Sequence, residues 1–144
     1  MKRLAPKSTA AFTLIEILLV IIIIISLMAV LIPNIKRAMN DSKVGTAKFY
    51  VTRLDNDLVL LQGKAHGYTP TTEQGLRALV EKPTSEPIPR GWTSFEDKLE
   101  VDPWGREYRY EFPGRHNPKS FDVYSVGPDG QPGTDDDIGN WEDK

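Results

Sequence analysis

Residues 14 to 32, LIEILLVIIIIISLMAVLI, form a nearly unbroken apolar run, and this run limits the fold more than any other feature. At about 1.5 Å of rise per residue it makes roughly 28 Å of helix, close to the hydrocarbon core of a bilayer. Ile21 to Ile25 are modest helix formers in water. Lipid offers the backbone no hydrogen bonds, so a single spanning segment has to be helical there. The competing reading is a buried core helix. The run is apolar on all sides, however, and a chain of 144 residues has too little remaining mass to enclose it. A membrane-inserted helix is expected.

What precedes the run is as informative as the run itself. Met1 to Ala11 carries Lys2, Arg3 and Lys7 with no acid, then the small residues Ser8, Thr9, Ala10 and Ala11. A secretory signal has its small-residue cleavage site after the apolar region, and here the order is reversed. Cleavage between Ala11 and Phe12 would leave the apolar helix on the mature chain as an anchor. Basic residues flank the run on both sides (Lys36, Arg37, Lys43 and Lys48 follow it), so charge alone does not orient it.

Glu16 stands out within the run. A carboxylate in lipid is costly, less so near a helix end, and is commonly paired with a positive group. Headgroup depth is one explanation for Glu16. The other is a partner, and cleavage before Phe12 would create one, a new and largely protonated α-amino group. Pairing Glu16 with such an amine on a neighbouring chain would neutralise both charges and set the register of helix packing.

The net charge of -2 shows no basic excess, and the basic residues of Arg106-Glu107-Tyr108-Arg109-Tyr110 are interleaved with acids, which argues against nucleic-acid binding. Without cysteine there is no disulfide, thiol catalysis or thiolate zinc site. His66 and His116 lie in loop-like stretches without a second ligand at metal-like spacing, and no G-x-S-x-G pattern accompanies them. An enzyme is not expected.

Phe12-Thr13-Leu14-Ile15-Glu16, behind a basic leader and opening an apolar helix, resembles the type IV pilin and pseudopilin class. Thr71-Thr72-Glu73-Gln74-Gly75-Leu76, Asp102-Pro103-Trp104-Gly105, and Ser125-Val126-Gly127-Pro128-Asp129-Gly130 through Asp137-Ile138 to Trp141 are similar to the major pseudopilins of type II secretion. The resemblance implies an α+β, pilin-like fold: a long N-terminal helix packed on a small antiparallel sheet with a calcium-binding loop. It also implies cleavage by a prepilin peptidase before Phe12, N-methylation, and assembly into a homopolymer with other pseudopilins and the secretion platform. The leader would lie in the cytoplasm and the globular domain outside the inner membrane, in the periplasm. In this class the residue before the cut is usually Gly; here it is Ala11, still small. The organisation expected is a leader over 1–11, a transmembrane and assembly helix over 12–33, its amphipathic continuation over 34–67, and a globular domain over 68–144.

Pro33 is expected to kink or loosen the helix by removing a backbone donor. Beyond it, Ile35, Met39, Ala47, Tyr50, Val51, Leu54, Leu58 and Leu61 recur mostly every three or four residues, an amphipathic helix facing a domain and ending near Gly63 and Gly67. Thr71-x-x-Gln74 reads as a capping box for a short helix through Leu79 and Val80. The prolines at 83, 87 and 89 mark an irregular loop. Two strands, Arg106 to Phe112 and Phe121 to Val126, should form an antiparallel hairpin.

Asp129, Asp135, Asp136 and Asp137 crowd into one Gly- and Pro-containing loop. Such carboxylates repel one another unless a hard cation neutralises them, although the spacing is not that of an EF-hand. From spacing alone, a Ca²⁺ site and a solvated acidic segment both stay open. The resemblance implies calcium, with Asp129, Asp136 and Asp137 as side-chain ligands, backbone carbonyls at Tyr124 and Ser125 contributing, and Asp135 facing solvent. The alternatives to a secretion filament are a non-polymerising, membrane-anchored calcium-binding protein and a related type IV pilus subunit.

Overall fold

The computed structural model describes residues 12–141, so the expected leader over 1–11, including Ala11, lies outside the described residues. One helix, α1 (Leu14–Lys64), continues without interruption through Pro33. The kink or loosening expected at Pro33 therefore does not break the helix: one missing donor is a local loss within a long ladder. Side chains nearby satisfy their own polar groups on the preceding turn. Ser26 Oγ donates to the Ile22 carbonyl at 2.8 Å and Asn34 Nδ2 to the Val30 carbonyl at 3.1 Å.

The chain divides into two units between Met39 and Asn40. In the first, every described residue of α1 is exposed, including Ile21 to Ile25. An all-round apolar surface of this kind is suited to lipid or to other helices, not to water.

In the second unit, the heptad-like spacing buries one stripe of α1: Ala47, Val51, Leu54, Leu58 and Leu61. Leu79, Tyr108, Tyr110, Phe121, Val123 and Ile138 close over this stripe to complete the core. Leu58, Leu61, Leu79, Phe121 and Val123 are among its fully buried side chains, each worth roughly 1.5–3 kcal/mol in burial. Positive φ at His66 and Gly67 ends the helix, where the Gly67 N–H donates back to the Gln62 carbonyl at 2.8 Å.

The Thr71–Gln74 box forms as expected and is reciprocal. Thr71 N–H donates to Gln74 Oε1 at 3.0 Å, and Gln74 N–H donates to Thr71 Oγ1 at 3.2 Å. It opens a 3₁₀ turn, Gly75–Leu79. The buried Gln74 does more than cap. Its Oε1 also accepts the Tyr68 hydroxyl at 2.6 Å, and its Nε2 donates to the Ser85 and Pro87 carbonyls of the proline-rich loop.

The sheet has strands β1 (Arg109–Glu111), β2 (Asp122–Ser125) and β3 (Ile138–Gly139) in the order β1-β2-β3, all antiparallel. Tyr110 faces Val123 in the hairpin, and Tyr124 faces both Arg109 and Gly139. The alternation of Tyr108 and Tyr110 into the core follows the two-residue period of a strand. Buried Asp122 organises the hairpin loop: its carboxylate accepts the His116 and Asn117 backbone N–H groups at 2.8 and 3.0 Å. β3 was not expected; it brings the end of the acidic loop back onto β2.

Candidate functional sites: the helix start and the acidic loop

At the start of α1, Thr13 and Glu16 form a second capping box. Thr13 N–H and Thr13 Oγ1 both donate to Glu16 Oε2, at 2.9 and 2.8 Å, and Glu16 N–H donates to Thr13 Oγ1 at 3.3 Å. A carboxylate at this position also faces the positive end of the helix dipole. Neither explanation expected for Glu16, headgroup depth or a positive partner, included this cap, although the Thr-x-x-Glu spacing is the signal for such a box. Phe12, the other expected assembly residue, is exposed just ahead of the helix.

The acidic loop lies between β2 and β3. Three of its carboxylates, those of Asp129, Asp136 and Asp137, accept hydrogen bonds within the loop. Asp129 Oδ1 accepts the Gln131 N–H at 2.7 Å. Asp136 Oδ2 accepts the Asp129 N–H at 2.9 Å, and its Oδ1 accepts the Thr134 hydroxyl at 2.6 Å. The Thr134 hydroxyl, then the Asp129 N–H, hold the Asp136 carboxyl below its ordinary range, so it is ionised at neutral pH. Asp135 faces solvent.

Asp137 differs from the others. It is buried, its Oδ2 accepts the Gly133 N–H at 2.6 Å, and its Oδ1 is buried without a hydrogen-bond partner. A buried carboxylate oxygen with no donor is costly as it stands and is suited to a cation. Among the described residues, however, no three acidic or histidine side chains converge on one point. The expected backbone ligands, Tyr124 and Ser125, lie in β2, with Ser125 opposite Ile138.

The base of the loop rests on Asp102, which the sequence marked only as part of the Asp102-Pro103-Trp104-Gly105 motif. Buried Asp102 accepts the Trp104 and Arg106 N–H groups on Oδ1, at 3.0 and 2.8 Å, and the Ser125 hydroxyl on Oδ2 at 2.7 Å. A cavity of about 400 Å³ opens elsewhere in this unit, between the 3₁₀ turn, β1 and the segment 96–101. Thr72, Glu73, Glu96, Lys98 and Glu107 are among the residues that line it.

A family model described as type II secretion system (T2SS), protein G, matches residues 34–141. The type II secretion system core protein G of Dickeya chrysanthemi is 44% identical over 132 residues, covering 90% of this chain and 84% of the relative. That of Pseudomonas aeruginosa is 40% identical over 141 residues, covering 94% and 97%. Among solved structures, the major pseudopilin from the type 2 secretion system of enterohaemorrhagic Escherichia coli matches with a TM-score of 0.65 at 39% identity. That match covers 72% of this chain and 87% of the other.

Proposed function

We infer the function of this chain from its family: it belongs to the type II secretion system protein G family. It is the major structural subunit of a pseudopilus, anchored in a membrane by α1 and assembled with other pseudopilins and the secretion machinery. The observation that carries this is full-length relatedness to core protein G, joined to a helix whose first unit leaves all its apolar side chains exposed. Outside a bilayer, only helices of neighbouring subunits could cover such a surface.

The finer steps follow the same reading. A prepilin peptidase cuts between Ala11 and Phe12, the new N-terminus is methylated, and the globular unit lies in the periplasm with the anchor in the inner membrane. Glu16 then has two roles available, its own helix cap and the α-amine of a neighbouring subunit. Ca²⁺ binds in the acidic loop through Asp129, Asp136 and Asp137, with carbonyls at Tyr124 and Ser125. The buried, partnerless Asp137 Oδ1 supports this assignment, and the bound cation would neutralise the crowded carboxylates and order the loop. The role is structural, without catalysis or nucleic-acid binding.

Processing is tested by the intact mass of membrane-extracted protein made with and without a prepilin peptidase. Loss of Met1 to Ala11 only when the peptidase is present, with one added methyl, is the expected result. The full chain in both samples would refute processing and leave an anchored protein that cannot enter a filament.

A further inference from the structure

The acidic loop meets a cation of the chain itself. Arg106, at the end of the turn that begins with Asp102, donates from Nη2 to the Gly127 carbonyl. Its Nε is buried 3.7 Å from Asp102 Oδ2, too far for a hydrogen bond, and its guanidinium carbon lies 6.0 Å from the centre of the Trp104 ring. Gly130 approaches the guanidinium so closely that a Cβ there would run into Nη1.

Gly127 is held through both of its backbone polar groups, and both holds lead to Asp102. Its carbonyl is bound by Arg106. Its N–H donates to Ser125 Oγ at 3.2 Å, and that hydroxyl donates to Asp102. None of these bonds uses a carboxylate of the loop, since Asp129, Asp136 and Asp137 are engaged with Gln131, Asp129, Thr134 and Gly133. The loop thus has two sets of restraints, one on the limb Val126–Gly130 and one on the returning limb, residues 131–137, which meet in the hydrogen bond from the Asp129 N–H to Asp136 Oδ2.

We propose that Arg106, seated on Asp102, is the positioning residue of this loop: it fixes the limb Val126–Gly130 whether or not a divalent cation is bound, so that cation binding has only the limb 131–137 to order. The proposal rests on the calcium reading given above. Ordering flexible residues opposes binding, so a limb fixed in advance raises affinity without touching the ion. The positive charge does not cancel this gain, because Asp102 balances it within 3.7 Å. A lysine would not substitute fully, since only the planar fork of arginine addresses a carboxylate and a carbonyl together.

The test is amide hydrogen exchange by mass spectrometry on the full chain in detergent, in calcium and in chelator, alongside calcium titration by calorimetry. In wild type, 126–130 should stay protected in chelator while 131–137 exchanges quickly and becomes protected with calcium. Arg106→Gln should expose 126–130 in chelator and weaken calcium binding by about tenfold, with the amides of α1 around Leu58 unchanged. Arg106→Lys should fall between the two. Arg106→Gln matching wild type would overturn the role of Arg106 alone, and loss of protection spread equally into α1 would overturn it in favour of a general folding role. A wild type that ignores calcium would overturn the calcium reading, and with it any part for Arg106 in cation binding.

Discussion

The Asn140 side-chain amide donates a 2.7 Å hydrogen bond to Asp55 Oδ1 on α1. The same amide donates to the Phe121 carbonyl at 3.2 Å, and Asn140 Oδ1 accepts the Val123 N–H at 3.3 Å. A residue just after β3 therefore ties the exit of the acidic loop to the hairpin and to the helix. Asn140→Ala would strand several of these groups and should cost about 1–3 kcal/mol. Urea unfolding of the full chain in detergent measures this. A loss under about 0.5 kcal/mol, the range of ordinary surface changes, would contradict it.

Gly127 lies where the two limbs of the acidic loop cross. Its φ is +59°, and a Cβ there would run into the backbone carbonyl of Asp136. Gly127→Ala should therefore destabilise the chain by more than the roughly 1 kcal/mol of a simple glycine change, because the obstacle is backbone and cannot swing aside. Thermal melting of the variant checks this. A melting temperature equal to that of wild type would show that the limbs can separate freely.

The sequence revealed those parts of the fold that repeat or cap. The stripe of Val51, Leu54, Leu58 and Leu61 was readable because helical periodicity persists over several turns, and the Thr71–Gln74 box because its partners are three residues apart. β3 could not be read, since a two-residue strand, Ile138–Gly139, has no period to detect. The Asp102–Ser125 and Arg106–Gly127 bonds were hidden for a different reason. Their partners are 23 and 21 positions apart, and only the hairpin brings them together. At Glu16 the signal is present, since Thr13 stands three residues ahead of the carboxylate it donates to.

Calcium should raise the melting temperature of wild type, and this increment should shrink in Asp137→Asn. The asparagine can still accept the Gly133 N–H through its side-chain oxygen but loses the charge a cation needs. In chelator the two proteins should melt close together. An equal deficit in calcium and in chelator would remove Asp137 from the metal site.

Stability should fall at alkaline pH. Burial pushes the Tyr68 hydroxyl up to about 12, and it pushes that of Tyr110 up as well, while these hydroxyls donate to Gln74 Oε1 and the Pro70 carbonyl. The folded state thus holds protons that the unfolded chain releases near the ordinary tyrosine value of about 10. This contribution is fully present below about pH 10 and is lost as pH rises through the folded values. Urea midpoints measured from neutral to alkaline pH should decline above about pH 10, and Tyr110→Phe should flatten the decline. The same slope in both proteins would show that Tyr110 does not report on folding.

Electron microscopy of cells producing this chain with a prepilin peptidase and the other pseudopilus components shows directly whether it is a filament subunit. Thin filaments labelled by antibody to the globular unit and built from chain lacking Met1 to Ala11 are the expected result. Processed chain that stays dispersed in the membrane, with every component present and no filament formed, would contradict it.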